Sequence, residues 1–353
     1  MSFYGICLKP YKMGIKGFSQ FLRYIDCHWT TSPLSKFKGK RMAVDATMYL
    51  YHMKLSTREP ARVFLEFLMK LWSLDITPIF VLDGQYTVEK MDEQMTRAKR
   101  RESVREVIGL LTAQLEDYKS KKIIGSELGK LSQSNCRFIS KLDNTRLNIY
   151  AIQSHISKLY REVQPIPKNV KEMFWTVCEA FNIQIITADS DGEMLCATLN
   201  KTGLVDLVYS HDSDVFPAGA LTVIKRIDGL TAQHLTQQEI LTKSQLSFTS
   251  FRDFCILCGT DFNKKIMGLG PITAYNLLKK YENLEAVEQH VSYNLESINY
   301  SRVREIYQTA HQVEISGGGA LDKTRVFKDV IIRYRLYTLW VDIKNLLGLR
   351  LNT

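Results

Sequence analysis

Short apolar runs alternate along the chain with longer stretches whose apolar residues recur every three or four positions, and four of the runs end in an acid. They are Arg41-Met-Ala-Val-Asp45, Pro78-Ile-Phe-Val-Leu-Asp83-Gly84, Ile183-Gln-Ile-Ile-Thr-Ala-Asp189 and Val205-Asp-Leu-Val-Tyr-Ser-His-Asp212. Between them, Ala61 to Leu74 and Val170 to Phe181 carry helical spacing. Near-continuous apolar runs suit strands covered on both faces, and their alternation with helices predicts βαβ units and a parallel sheet. In open α/β sheets the ligand site lies beyond the carboxyl ends of the strands. All four runs should deliver their carboxylates to that edge.

From about Lys90 to Pro167 the pattern changes to Lys, Arg, Gln and Ser with helical periodicity and no strand signal, which predicts a helical insertion between the second and third strands. Beyond about Ser244 the spacing is helical again, with Gly268-Leu-Gly270-Pro271 between two apolar helical segments. The apolar and aromatic stretch Val326 to Trp340 is expected to pack onto the body. No repeat at solenoid spacing and no Pro- or Gly-rich linker interrupts the chain.

The chain has 353 residues, 45% hydrophobic and 24% charged, enough to bury a core of one large or two smaller domains. No apolar run reaches the roughly 18 residues that span a bilayer, and Met1 to Met13 lacks a signal-peptide apolar region, so a membrane or secreted protein is not expected. Cys7, Cys27, Cys136, Cys178, Cys196, Cys255 and Cys258 are scattered and odd in number, which predicts reduced thiols rather than a disulfide framework. Forty-seven Lys and Arg against 37 Asp and Glu give a net charge of +10, which suits a polyanionic partner.

A single Asp at a strand end is more often a turn or cap residue than a ligand. Six acids at one sheet edge are a different matter: Asp45, Asp83, Asp191, Glu193, Asp212 and Asp214 would repel strongly unless cations neutralise them. Oxygen ligands with no His or Cys beside them select Mg²⁺ or Mn²⁺, and two such ions can drive phosphodiester hydrolysis. Ser190-Asp-Gly-Glu193 also reads as a helix capping box, and taken alone that reading is favoured. Asp212-Ser-Asp214 is more specific, because residues two apart at a strand end point the same way.

After Asp83, Lys90 and Arg97 stand seven apart, and Arg101 and Arg105 continue at spacing four beside Lys99 and Arg100. This is either a solvated helix face or a basic stripe able to reach a phosphate. The glycine turn is either an ordinary helix connection or a place where backbone groups meet a phosphate or an ion. It follows Cys255-Ile-Leu-Cys258-Gly-Thr-Asp261, which adds a seventh acid, while the lone CxxC in an apolar helix predicts buried core thiols. Tyr51 is read as core or, beside a metal site, as a platform for a base.

These segments resemble the flap endonuclease and XPG-type structure-specific 5′ nucleases, over nearly all the chain to about Leu284. The matching segments are Met13-Gly-Ile-Lys-Gly-Phe, Ala43-Val-Asp-Ala-Thr-Met48, Val81-Leu-Asp-Gly84, Ala188 to Glu193, His211-Asp-Ser-Asp214, and Gly259-Thr-Asp261 with Gly268-Leu-Gly-Pro271. The resemblance implies an α/β fold with a PIN-like core, a central mostly parallel sheet, a helical arch insertion and a helix–two-turn–helix region. It implies two Mg²⁺ ions, replaceable by Mn²⁺, held by Asp45, Asp83, Asp191, Glu193, Asp212, Asp214 and Asp261. Lys90 and Arg97 would contact the scissile phosphate. DNA would meet Gly14, Tyr51, Arg100, Arg101, Gly268 and Gly270. On this reading residues 1–12 are a leader upstream of a start at Met13. Residues 13–96 and 183–243 form the nuclease, 97–182 the helical arch and insertion, and 244–353 the helical DNA-binding region with the C-terminal helices.

Three features depart from the family pattern. Gly14 follows twelve extra residues rather than an initiator Met. The hairpin is followed by Ile272 and Thr273 instead of basic residues, and Lys265 replaces a Ser of the ion-binding turn, which weakens the case for a K⁺ ion there. The stretch from Arg97 to Asp191 is long, which leaves open the branch that is cut. The expected activity is Mg²⁺-dependent cleavage at 5′ flaps or single-strand/double-strand junctions in DNA replication or repair, in the nucleus or the replication compartment of a large DNA virus. Its alternatives are a 5′→3′ exonuclease, a four-way-junction resolvase, a PIN-type ribonuclease, or a catalytically silent binder of branched DNA. A monomer is expected, and no Gln-x-x-hydrophobic-x-x-aromatic-aromatic tail predicts docking on a sliding clamp.

Overall fold

The four acid-ended runs form four adjacent strands of one sheet, the third of them at its edge. Its strands are β1 (Thr30–Pro33), β2 (Arg41–Asp45), β3 (Thr77–Leu82), β4 (Ile185–Thr187), β5 (Leu207–Tyr209), β6 (Thr222–Asp228) and β7 (Thr231–Thr236), in the order β1-β7-β6-β5-β2-β3-β4. Strands β6, β5, β2, β3 and β4 run parallel, in registers such as Val44 beside Phe80 and Tyr209. Their carboxyl ends therefore share one edge, as the patterning predicts. Strands β6, β7 and β1 close the other side as antiparallel pairs. The computed structural model describes residues 14–309 apart from 57, 86 and 142–145, together with 323–337 and 339. The leader, the start at Met13 and the carboxyl tail lie outside the described residues.

The chain divides into two compact units, one comprising Asp92–Pro167 and the other Met13–Met91 with Lys168–Thr353. In the larger unit Met42, Ala43 and Val44 are fully buried, as both-face cover demands. One face of the sheet carries an aromatic cluster in which the Tyr49 and Phe67 rings lie 4.4 Å apart and Phe64 stacks on Phe174 at 5.2 Å. The core also contains Phe21 and Phe254, with ring centres 4.1 Å apart. Cys255 and Cys258 are buried in that core, and the described cysteines all carry free thiols. The helix Lys168–Ala180 belongs to this unit, as does Lys323–Arg333, which packs on it and helps bury Val330 and Ile331.

The smaller unit is helical, as the patterning predicts, and has a core of its own. The 31-residue helix Met91–Lys121 packs Val104, Leu111, Leu115 and Tyr118 against Leu128, Phe138, Ile152 and Leu159. The Tyr118 hydroxyl accepts from the Leu147 N–H at 2.9 Å, and Gln114 Oε1 accepts from Glu127 N–H at 3.0 Å, so the turns are tied down locally. No helix among the described residues is long and apolar enough to cross a membrane.

Candidate metal centre

Each acid is fixed by the element that delivers it. Asp45 ends β2 and caps the following helix (Ala46–Leu55), its Oδ1 accepting from Met48 N–H at 2.9 Å. Its Oδ2 accepts from the Ser210 hydroxyl at 3.3 Å, at the end of neighbouring β5. Asp83 follows β3, and its Oδ1 accepts from Gly192 N–H at 2.9 Å. Gly84 must be a glycine, because a Cβ there would run into the Ala188 and Asp189 carbonyls. The connections after β3 and β4 can approach only through that gap.

Asp191 stands at the N-cap position of the helix Gly192–Lys201, yet its side chain makes no cap hydrogen bond. The capping-box reading of Ser190 to Glu193 is thus corrected: both carboxylates turn to Lys90, whose Nζ donates to Asp191 Oδ1 and to Glu193 Oε1 at 2.6 Å each. Asp212 Oδ1 accepts from Asp214 N–H at 2.8 Å, and Asp214 Oδ2 from Asp261 N–H at 3.3 Å. Gly14 N–H donates to Asp261 Oδ1 at 3.3 Å. With φ of +78° and no room for a Cβ beside Asp212 and Ser213, this position also requires glycine.

Asp45, Asp191, Glu193, Asp212, Asp214 and Asp261 are all buried, and Asp83 is half-buried. Burial, followed by the charges of Asp83 and Glu193, raises Asp45 to about 8. Burial also drives Asp212 and Asp214 well above the usual carboxylate range, with Glu193 adding to both and Asp261 to both. Burial raises Asp191 to about 6, Glu193 adding and Lys90 opposing. Burial by itself would lower Lys90, but Glu193 and Asp191 hold its ammonium well above the ordinary lysine value.

Among the described residues no three side chains already converge as a metal cage. Two buried oxygens, Asp191 Oδ2 and Asp214 Oδ1, nevertheless have no hydrogen-bond partner. A desolvated carboxylate oxygen without a partner is costly, and an all-oxygen donor set fits a hard divalent cation. The residues present therefore fit Mg²⁺ or Mn²⁺.

The remaining predicted residues are placed elsewhere. Tyr51 is 38% exposed, with the Lys54 ammonium 4.8 Å from its ring centre. Gly268, with φ of +79°, turns the chain before Gly270, which precedes Pro271 at the start of the helix Pro271–Tyr281. Arg97, Arg100 and Arg101 lie on the helix Met91–Lys121 of the smaller unit, where Arg97 pairs with Glu93 at 3.2 Å and Arg101 is exposed. Ser210, Ser213 and Phe262 join the acid cluster without having been signalled by the sequence. Ser213 Oγ accepts from Ile15 N–H at 2.9 Å, and the Phe262 ring centre lies 5.0 Å from Lys90 Nζ.

Residues 13–104 match the XPG N-terminal domain and residues 182–261 the XPG I-region. The chain is 28% identical over 304 residues to the putative RAD2-like endonuclease 095R of Frog virus 3, covering 83% of each chain. It is 26% identical over 338 residues to flap endonuclease 1 of Cryptosporidium muris, covering 86% of this chain and 64% of that one. Among solved structures, the catalytic core of Rad2 in complex with DNA substrate matches with a TM-score of 0.60 at 17% identity, over 96% of this chain and 100% of that one. Flap endonuclease-1 from Methanococcus jannaschii matches at 0.55 and 20%, over 91% and 97%. Human GEN1 in complex with Holliday junction DNA matches at 0.57 and 18%, over 92% and 74%. At these identities the structural likeness shows a shared nuclease fold.

Proposed function

Because the chain belongs to the XPG and flap endonuclease family of structure-specific nucleases, we propose that it cuts branched DNA as a divalent-metal-dependent endonuclease, at 5′ flaps or single-strand/double-strand junctions. The observation that carries this reading is the buried carboxylate set at one sheet edge, in which Asp191 Oδ2 and Asp214 Oδ1 have no hydrogen-bond partner. Two Mg²⁺ ions bound there, by Asp45, Asp83, Asp191, Glu193, Asp212, Asp214 and Asp261, would supply an activated water and stabilise the leaving oxygen. The chain's own groups do the rest. Gly14 lets the backbone close on Asp212 and Asp261 without filling the space above them. Tyr51 offers an exposed ring face near the end of the helix that Asp45 caps, suited to stacking on a base. Lys90 and Arg97 neutralise charge on the phosphate, and Gly268 and Gly270 bring backbone groups to the duplex.

DNA as substrate is supported by the +10 net charge and by the DNA held in the similar structures. Work on flaps and junctions belongs to replication or repair, in the nucleus or at the replication site of a large DNA virus. The test is a panel of 5′-labelled substrates in Mg²⁺: flap, nicked duplex, blunt duplex, bubble and four-way junction. Product sized to the flap junction and absent with EDTA is expected. Release of mononucleotides, or cutting of the four-way junction alone, would replace this reading with an exonuclease or a resolvase.

A further inference from the structure

Lys90 ends a short 3₁₀ turn (Val88–Lys90), and its side chain does not point to solvent. It is 8% exposed, with its ammonium bonded to Asp191 and Glu193 and resting against the Phe262 ring. An ammonium there takes one oxygen from each of two carboxylates that a hard cation would need, leaving Asp191 Oδ2 without a partner. Mg²⁺ demands oxygens at about 2.1 Å in near-octahedral array, and a carboxylate oxygen held by Nζ at hydrogen-bond distance is not free to join it.

The surroundings allow the side chain to leave while the turn stays. Glu89, the preceding residue, is tied by Arg302, whose Nε donates to its Oε1 at 2.7 Å. Lysine carries its charge on a flexible four-carbon stem. At equal distance a divalent ion attracts two buried carboxylates about twice as strongly as a single ammonium, and Mg²⁺ limits its dehydration cost by keeping several of its waters.

Resting on the reading of this cluster as a divalent-cation site, we propose that Lys90 is its resident counter-cation. It holds Asp191 and Glu193 when no metal is bound, is displaced when ions enter, and is thereby presented to the substrate phosphate only in the metal-loaded protein. Metal binding and exposure of this ammonium are then two faces of one equilibrium, so each must affect the other equally.

Two measurements on DNA-free protein test this. Amine labelling of the wild-type protein read by mass spectrometry, with and without saturating Mg²⁺, should show Lys90 reacting at least about tenfold faster with metal, relative to exposed Lys38. Calorimetric titration with Mg²⁺ should show Lys90→Met binding about tenfold more tightly than wild type, while Lys38→Met is unchanged. Lys90 equally protected in both states, or Mg²⁺ affinity unchanged or weakened in Lys90→Met, overturns the proposal. A wild-type protein that takes up no Mg²⁺ or Mn²⁺ at all overturns the metal reading beneath it.

Discussion

Two charge networks of the larger unit, each with buried carboxylates, are built on opposite terms. Around Asp253 the charges close on themselves: Arg304 donates from Nε to Oδ1 at 2.6 Å and from Nη2 to Oδ2 at 2.5 Å, while Leu284 N–H donates to Oδ2 at 3.1 Å. Glu285 takes the remaining face of the same guanidinium, and its hydrogen bonds lift Arg304 well above its ordinary value. At the sheet edge Lys90 bridges Asp191 and Glu193, while Asp191 Oδ2 and Asp214 Oδ1 are buried with no hydrogen-bond partner. A cavity of about 440 Å³ is lined by Arg252 and by Asp253, Glu285 and Arg304 of the first network. The charges of that network are already spent on one another. Complete pairing marks a structural device, and incomplete pairing marks a place that awaits a cation.

The largest contrast comes from deleting one acid in each network. Asp212→Ala should abolish flap cleavage, by about 10³-fold or more, if the metals carry the reaction. Its metal-free melting temperature should stay level or rise, because the substitution relieves the burial and crowding that drive Asp212 well above the carboxylate range. Substantial cleavage by folded Asp212→Ala would break the comparison at its functional end. Next in size is Arg304→Met, which leaves Asp253 buried without its cation and should cost about 3–5 kcal/mol of stability. Chemical denaturation reads that loss, while turnover per folded molecule should hold. A selective loss of turnover in Arg304→Met would mean that the closed network belongs to the site after all.

The acid edge was legible in the sequence because β2, β3 and β5 leave apolar runs that lead into Asp45, Asp83 and Asp212. By contrast, β4 is a half-buried edge strand whose run ends in the exposed Asp189, two residues short of the site acid Asp191. The helical insertion was legible for the converse reason, a polar stretch with helical spacing and no strand signal. Three things were less visible. Strands β6, β7 and β1 lie on one side of the sheet, β7 antiparallel to both its neighbours, with exposed residues alternating along β6, so they lack the long apolar signature. The turn residues Asp228 and Gly229 between β6 and β7 were the available clue. The capping box misled because Ser190 to Glu193 has the right letters, but Lys90, a hundred residues away, competes successfully for both carboxylates. Nothing local in a sequence reports a long-range partner. The core of the smaller unit was likewise readable as helices, while the closing contacts of Tyr118 and Gln114 depend on the folded turn.

A smaller effect separates the two networks by pH. In the unfolded chain carboxyls lose their protons near pH 4, whereas burial and crowding lift Asp45 to about 8 and Asp191 to about 6 in the fold, with Asp212 and Asp214 also raised. Between those limits the folded protein binds more protons than the unfolded chain, so linkage makes stability fall as pH rises. One proton retained across about two pH units is worth about 2–3 kcal/mol, and the metal-free protein should lose about 2 kcal/mol between about pH 6 and pH 8. Mg²⁺ replaces the protons and should flatten that slope by binding the folded state alone. Thermal melts in EDTA and in saturating Mg²⁺, at both pH values, give the four numbers needed. In Arg304→Met the slope in EDTA should persist, since the sheet-edge acids that carry it are untouched. A metal-free stability that holds level or rises towards pH 8 would show that the sheet-edge acids are neutralised from within, and the contrast between the two networks would fail.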